Sequence, residues 1–269
     1  MSREPLRLAP TAINLAYNDP EENLRRMDAA IAARVAKAPE VARDSLLFVF
    51  PELTLTGFVT KAPKAQRLDP PDAAISGLFA LAKKHGVGLV AGFPERGEGK
   101  PRNCLVLIGP DGRLVSAYRK MHLFTVGDNP ESANYAAGDE AVLCEYRGWK
   151  VGLAVCFDVR FPALFQEYAK AGADLVVVSA CWIGGPHKSE QYRTLNSAHA
   201  ILAQAFVAAV NQSGKDPHYE YDGAEYVFSP FGDALYAGEP CLLDPERLSA
   251  VRRMRVRSAD RERYPLKTG

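Results

Sequence analysis

"KVGLAVCFDVRF", residues 150–161, begins as an unbroken apolar run and changes character at Cys156. Such a run without polar alternation is the pattern of a strand covered on both faces. A mixed stretch, Phe-Asp-Val-Arg-Phe-Pro, follows, and a helix is expected to start after Phe161. Cysteine is among the residue types most often buried, so Cys156 alone reads as core packing. Its place at the end of a strand raises a second reading, a reactive thiol.

The same signal recurs along the chain. "DSLLFVFPE" (44–52), "VGLVAGFP" (87–94), "ADLVVVSAC" (173–181) and "AFVAAVNQSG" (205–214) are short apolar runs of the same kind. "NCLVLIGPDGRLVSAYRK" (103–120) differs, because two runs flank Pro-Asp-Gly, which signals a hairpin. "AEYVFSPFGDALYAG" (224–238) predicts a second hairpin around Ser-Pro-Phe-Gly-Asp. Helices fall between the strands. Asp19 suits an N-cap, Pro20 the first helical position, and Glu21 and Glu22 the positive end of the dipole. Leu24, Met27, Ile31 and Val35 then recur at helical spacing as one apolar stripe. Further helices are expected over 71–86, 162–173 and 189–204. Without linkers, repeats or low-complexity tracts, residues 1–269 read as one domain of mixed sheets flanked by helices, with a loose polar tail from 258.

Composition limits the function. Apolar residues make up 47% and charged residues 24% of the 269, an ordinary globular mix. Lys and Arg number 33 against 32 Asp and Glu, so no global field recruits nucleic acid or an anionic membrane. No apolar run approaches the ~20 residues of a bilayer span, and "MSREPLRLAP" lacks a signal-peptide apolar region. The five cysteines are widely spaced with no C-x-x-C pair, which argues against a disulfide framework or zinc site. A cytoplasmic location is expected.

In open α/β sheets, function gathers at the carboxyl ends of strands. Glu52 ends "FPE", Lys120 ends the second arm of the first hairpin, and Cys156 ends "KVGLAVC". Each has a bland reading: a solvated acid, a solvated Arg-Lys pair, a core thiol. In the order "FPELTLTGF", "YRKMHLF", "VGLAVCFDVRFP", however, the three stretches resemble the catalytic signatures of the nitrilase superfamily of carbon–nitrogen hydrolases. The resemblance runs over nearly the whole chain. It implies a four-layer α-β-β-α sandwich, a Glu52-Lys120-Cys156 catalytic triad, and a homodimer.

The chemistry agrees with that assignment. A thiolate attacks an amide carbonyl and splits a slow hydrolysis into two steps through a thioester. Lys120 and the helix start are expected to favour the thiolate, and Glu52 to shuttle the proton. Lys120 and the backbone N–H of Phe157 are the expected donors to the oxyanion. No metal or organic cofactor is required. The family carries a second glutamate in the segment matching "ESANYAAGD", which points to Glu131, with Asp128 as the competitor.

"CFDVRFP" is similar to the pattern of ω-amidases and deaminated-glutathione amidases. Arg160 offers a fork of donors suited to a carboxylate, so a monoamide such as 2-oxoglutaramate leads the substrate list. Deaminated glutathione and N-carbamoyl amines follow it. The alternative for Arg160 is a structural ion pair. Trp182 in "ACWIGG" is expected to shape the opposite wall, with Phe58 and Phe124 as apolar lining. One departure stands out. Where the family shows Arg-Ala-Arg-Ala and an acidic-Asn pair, this chain has Ser197, His199, Leu202 and Ala203. Three other classes compete with the amidase: a Cys–His enzyme using His187, His199 or His218 with Asn211, an acyl transferase, and a non-catalytic binding protein that keeps the fold.

Overall fold

Leu47 and Val49 share a core with residues of the far half of the chain, whereas Leu46, Phe48 and Phe50 pack under helices, and all five are buried. A strand with both faces covered has no side to leave polar, which is why residues 44–52 show no alternation. Burying each such side chain is worth about 1.5–3 kcal/mol relative to exposure.

The computed structural model describes residues 3–125 and 130–254. In chain order the strands are β1 (Arg7–Pro10), β2 (Leu46–Val49), β3 (Gly88–Glu95), β4 (Arg102–Ile108), β5 (Leu114–Arg119), β6 (Leu143–Tyr146), β7 (Trp149–Val155), β8 (Leu175–Ala180), β9 (Phe206–Asn211), β10 (Ser213–Lys215), β11 (Glu220–Asp222), β12 (Glu225–Phe228) and β13 (Cys241–Leu242). One sheet has the order β13-β1-β2-β3-β4-β5 and the other β12-β9-β8-β7-β6, while β10 and β11 form a separate ribbon. In each sheet a parallel trio (β1-β2-β3, β8 flanked by β7 and β9) carries antiparallel neighbours at its edges.

Helices α1 (Pro20–Lys37) and α2 (Ala73–His85) cover the first sheet, with Met27, Ile31, Ile75 and Leu78 against Phe48, Leu89 and Val106. Helices α3 (Pro162–Lys170) and α4 (Lys188–Ala203) cover the second, through Leu164, Phe165, Tyr192 and Ala200. The result is the expected four-layer α-β-β-α sandwich. Among the described residues, no helix is long and apolar enough to cross a membrane.

Several local expectations need correction. On α1 the buried residue one turn before Met27 is Asn23, not Leu24, which is only partly covered. Asn23 is fully buried because its amide is satisfied: it accepts from Ala16 N at 2.7 Å and donates to Ala16 O at 2.8 Å and Leu55 O at 3.0 Å. That ties the helix to the loop carrying Glu52. The 103–120 hairpin forms, but the second arm of 224–238 does not become a strand. Ser229 N–H closes a tight turn on Asp233 O at 2.9 Å, and pairing stops at a single Phe228–Ala234 bridge. Helix α5 (Pro245–Arg253) was not foreseen, although Asp244 caps it, accepting from Glu246 N, and Pro245 opens it as in α1. The polar tail from 258 lies outside the described residues.

Candidate active site

Cys156 begins a short 3-10 turn, Cys156–Arg160, directly after β7, and its φ is +45°. A non-glycine residue in the left-handed region costs about 1–3 kcal/mol and persists only where its surroundings enforce it. The sequence showed no glycine to mark a tight elbow, yet the backbone makes one. Asp158 enforces it. Its buried carboxylate accepts from Val155 N (2.8 Å), Tyr118 Oη (2.8 Å), His122 N (3.0 Å) and His122 Nδ1 (2.8 Å). Helix α3 begins only at Pro162, so Cys156 starts the short turn and not the helix.

Glu52 sits in the loop after β2, pinned to β3. Gly92 N donates to Thr54 Oγ1 at 3.0 Å, and Leu55 N donates to Gly92 O at 3.1 Å. Gly92 is required there, because a Cβ would lie 2.6 Å from Leu53 N. Lys120 follows β5, with its N–H on Asn103 O (2.9 Å) and its carbonyl accepting from Gly138 N (2.8 Å). A Cβ on Gly138 would fall 2.2 Å from Arg119 O, so the turn behind Lys120 also needs glycine.

These backbones bring the expected residues together. Lys120 Nζ lies 2.7 Å from Glu52 Oε1 and 2.8 Å from Glu131 Oε2, with all three side chains sealed from solvent. Asn103 Nδ2 donates to Glu52 Oε1 (2.7 Å) and Glu131 Oε1 (3.0 Å). Backbone N–H groups complete the frame: Cys181 N on Glu52 Oε2 at 2.8 Å and Phe124 N on Glu131 Oε2 at 2.9 Å. Asp128, the other candidate acid, lies outside the described residues.

The charge state of Cys156 differs from expectation. Burial and the adjacent Glu52 carboxylate push the thiol well above its ordinary pKa, and Lys120 only partly offsets them. Burial would lower the Lys120 pKa, but Glu131 and Glu52 outweigh it and hold the ammonium charged. The resting pair is therefore a thiol beside a carboxylate.

Cys156 and Lys120 open onto a cavity of about 100 Å³, lined also by Phe58, Phe124, Phe157, Arg160, Cys181, Trp182, Ile183 and Lys188. Phe157 meets Phe124 edge-on at 5.5 Å. The Lys120 ammonium lies 6.0 Å from the centre of the Phe58 ring. Arg160 is exposed; its guanidinium sits 4.8 Å from the Trp182 ring centre and donates to Gln191 Oε1 at 2.8 Å. Among the described residues it makes no salt bridge. No histidine lines the cavity; His199 bonds Val159 O at 2.8 Å and stacks on Phe165. Among the described residues, no group of three or more His, Cys, Asp or Glu is arranged to hold a metal ion.

Asn103, Cys181, Ile183 and Lys188 were not anticipated. For Asn103 the signal was incomplete: counted from the Pro-Asp-Gly turn it falls opposite Arg119, and a register shift between Leu107 and Ile108 moves it opposite Lys120. Cys181 and Ile183 flank the Trp182 that was singled out. Lys188 has no local signal.

Known proteins share this architecture. A CN-hydrolase superfamily protein of Xanthomonas campestris, solved with an arsenic adduct in its active site, superposes with a TM-score of 0.84 at 26% identity, covering 98% of this chain and 100% of that one. A mutant amidase of Nesterenkonia sp. AN1, carrying the acetamide moiety of fluoroacetamide on its active-site cysteine, gives 0.75 at 26% identity, covering 93% and 94%. Hydrolase Rv0480c of Mycobacterium tuberculosis is 37% identical over 171 residues, 62% of this chain, and the match spans only 60% of that protein's length. The 2-oxoglutaramate amidase of Bacillus subtilis is 30% identical over 226 residues, 84% of this chain and 83% of that protein. The carbon-nitrogen hydrolase profile matches residues 7–240, and the chain belongs to that family.

Proposed function

We propose that this protein is a cysteine-dependent amidase that hydrolyses a small linear amide to a carboxylate and ammonia, with a 2-oxo acid amide such as 2-oxoglutaramate as substrate. One observation carries the reading: a solvent-sealed cluster in which Lys120 joins Glu52 and Glu131 beside the Cys156 thiol.

Cys156 Sγ attacks the amide carbon while Glu52 accepts the thiol proton. The transfer leaves the net charge of the cluster unchanged, since one negative charge appears as another disappears. The carbonyl oxygen becomes an oxyanion. Lys120 has three N–H donors, of which Glu52 and Glu131 occupy two, leaving the third for that oxygen. The N–H of Phe157 stands in the first turn after Cys156, where N–H groups lack intrahelical acceptors. Removing one such donor typically costs ~10²–10³ in rate. Glu52 passes its proton to the amide nitrogen, the C–N bond breaks, and ammonia leaves a thioester. Glu52 then takes a proton from water, whose oxygen attacks the thioester carbon; the C–S bond breaks and Cys156 recovers its proton.

Arg160 at the cavity and the likeness to a 2-oxoglutaramate amidase support an acidic amide. A reducing, cytoplasmic setting is proposed with it, supported by five cysteines that are all free thiols. A homodimer is proposed on the family resemblance alone, and light scattering that returns a single 29.4 kDa chain would overturn it. The functional test is ammonia release from a panel of 2-oxoglutaramate, deaminated glutathione, an N-carbamoyl amine and a nitrile. The 2-oxo acid amide is expected to turn over fastest. Preference for the nitrile or the carbamoyl compound overturns the substrate, and no ammonia from any of them overturns the amidase.

A further inference from the structure

The cations of the cavity fall into two sets. Lys120 is bracketed by Glu52 and Glu131 and wholly buried. Arg160 is exposed, Lys188 is half-buried, and among the described residues neither makes a salt bridge with a carboxylate. Among the described residues, no Asp or Glu lines the cavity.

Both cations lie against one ring. The Arg160 guanidinium is 4.8 Å and the Lys188 ammonium 5.8 Å from the Trp182 centroid, which places the two within about 11 Å of each other. The indole N–H donates to the Lys188 carbonyl at 2.9 Å, so Trp182 also fixes where α4 begins. Lys188 is the first residue of α4. That end of a helix carries positive partial charge and favours anions, so a lysine there stands against the dipole. Two cations without a salt bridge among the described residues, one of them at a helix start, line one cavity, an arrangement that favours an anionic ligand.

We propose that Lys188 is a specificity-determining residue that, together with Arg160, selects amides of 2-oxo acids over amides of 2-amino acids. This rests on the amidase reading for the orientation of the substrate. With the amide carbon at Cys156, the far end presents a carboxylate and the group on C2. The planar fork of Arg160 matches the carboxylate. The compact ammonium of Lys188 donates to the neutral 2-oxo oxygen. A 2-amino acid sets its own ammonium in that place, where it meets a like charge and offers no acceptor. One lysine thus attracts the first class and excludes the second.

The test is calorimetric binding of 2-oxoglutaramate, glutaramate (which has neither substituent on C2) and glutamine to the Cys156→Ala protein, which does not consume the ligand. The titrations are repeated with Lys188→Met, which keeps the apolar stem against Trp182, and with Lys188→Glu. In Cys156→Ala the expected order is 2-oxoglutaramate, glutaramate, glutamine, with glutamine weakest by about 10-fold or more. Lys188→Met should weaken 2-oxoglutaramate about 10-fold more than glutaramate and narrow the gap to glutamine, and Lys188→Glu should invert the order. Equal weakening of all three ligands, an order unchanged in Lys188→Glu, or no binding of any ligand overturns the proposal. Ammonia release by the wild-type protein is scored separately. Absent turnover with the ranking intact removes the amidase and leaves the selection by Lys188. Turnover with a ranking insensitive to Lys188 removes the selection alone.

Discussion

The Lys120 ammonium stands 2.7 Å from Glu52 Oε1, and neither side chain reaches solvent. With Glu131 on the other side, two carboxylates share one cation, so the cluster is net negative. Electrostatic interactions strengthen where water is excluded. A further negative charge on Cys156 is therefore disfavoured, and the thiol ionises only as Glu52 is neutralised. Proton transfer and attack are coupled by the charge of the cluster.

Glu52→Gln separates the base from the charge. Ammonia release should fall by about 10²–10⁴-fold, the range of a general base. Alkylation of Cys156 at neutral pH should speed up instead, because the thiol loses the neighbour that holds its proton in place. Iodoacetamide labelling followed by mass spectrometry reads the second effect, and slower labelling would contradict it.

Lys120→Met leaves Glu52 and Glu131 buried without their cation. Breaking a buried pair in this way typically destabilises by about 3–5 kcal/mol. Glu131→Gln leaves one carboxylate with one ammonium and should cost clearly less. Urea unfolding midpoints of the two variants decide the matter; equal losses would mean that the cluster is not held together by its charges.

Gly92→Ala tests the placement of Glu52 at a distance. The added methyl meets Leu53 N at 2.6 Å, so the loop that carries Glu52 must shift. A displacement of about 1 Å can cost ~10²-fold in rate. Turnover should drop by that order while far-UV circular dichroism stays native, and full activity would show that the loop tolerates the shift.

His199 gives a signed pH dependence. Burial lowers its pKa from the ordinary value of 6.5, against the bond to Val159 O, which raises it. Below 6.5 the unfolded chain takes up a proton that the folded chain resists, so stability is lost as pH falls from that value toward the lower folded pKa. His199→Gln removes this term. Melting temperatures between about pH 7.5 and 5.5 should fall less in the variant than in the parent, and an equal fall would contradict the assignment.

Much of the fold was legible because strands covered on both faces announce themselves as unbroken apolar runs. Glu52, Lys120 and Cys156 each stand where a strand ends, but they could be named because the three stretches carrying them, in that order, resemble the nitrilase-superfamily signatures. Other features depend on tertiary arrangement. The second arm of 224–238 has the residues of a strand but finds one bridging partner. Glu52 and Glu131 are held by the backbone N–H groups of Cys181 and Phe124, which have no identity in a sequence. The protonated Cys156 follows first from its burial and then from the Glu52 carboxylate brought beside it, both set by tertiary arrangement, and a neighbouring lysine alone suggested the opposite. Asn103 was only partly within reach, since counting from the turn sets it opposite Arg119 and a register shift inside the hairpin brings it to Lys120.

The most direct measurement is the intact mass of the protein quenched in acid during turnover of 2-oxoglutaramate. A covalent acyl adduct is expected on the peptide that contains Cys156, with neither adduct nor ammonia release in Cys156→Ala. Sustained ammonia release by Cys156→Ala, or an adduct on Cys181 in place of Cys156, would contradict the thioester mechanism.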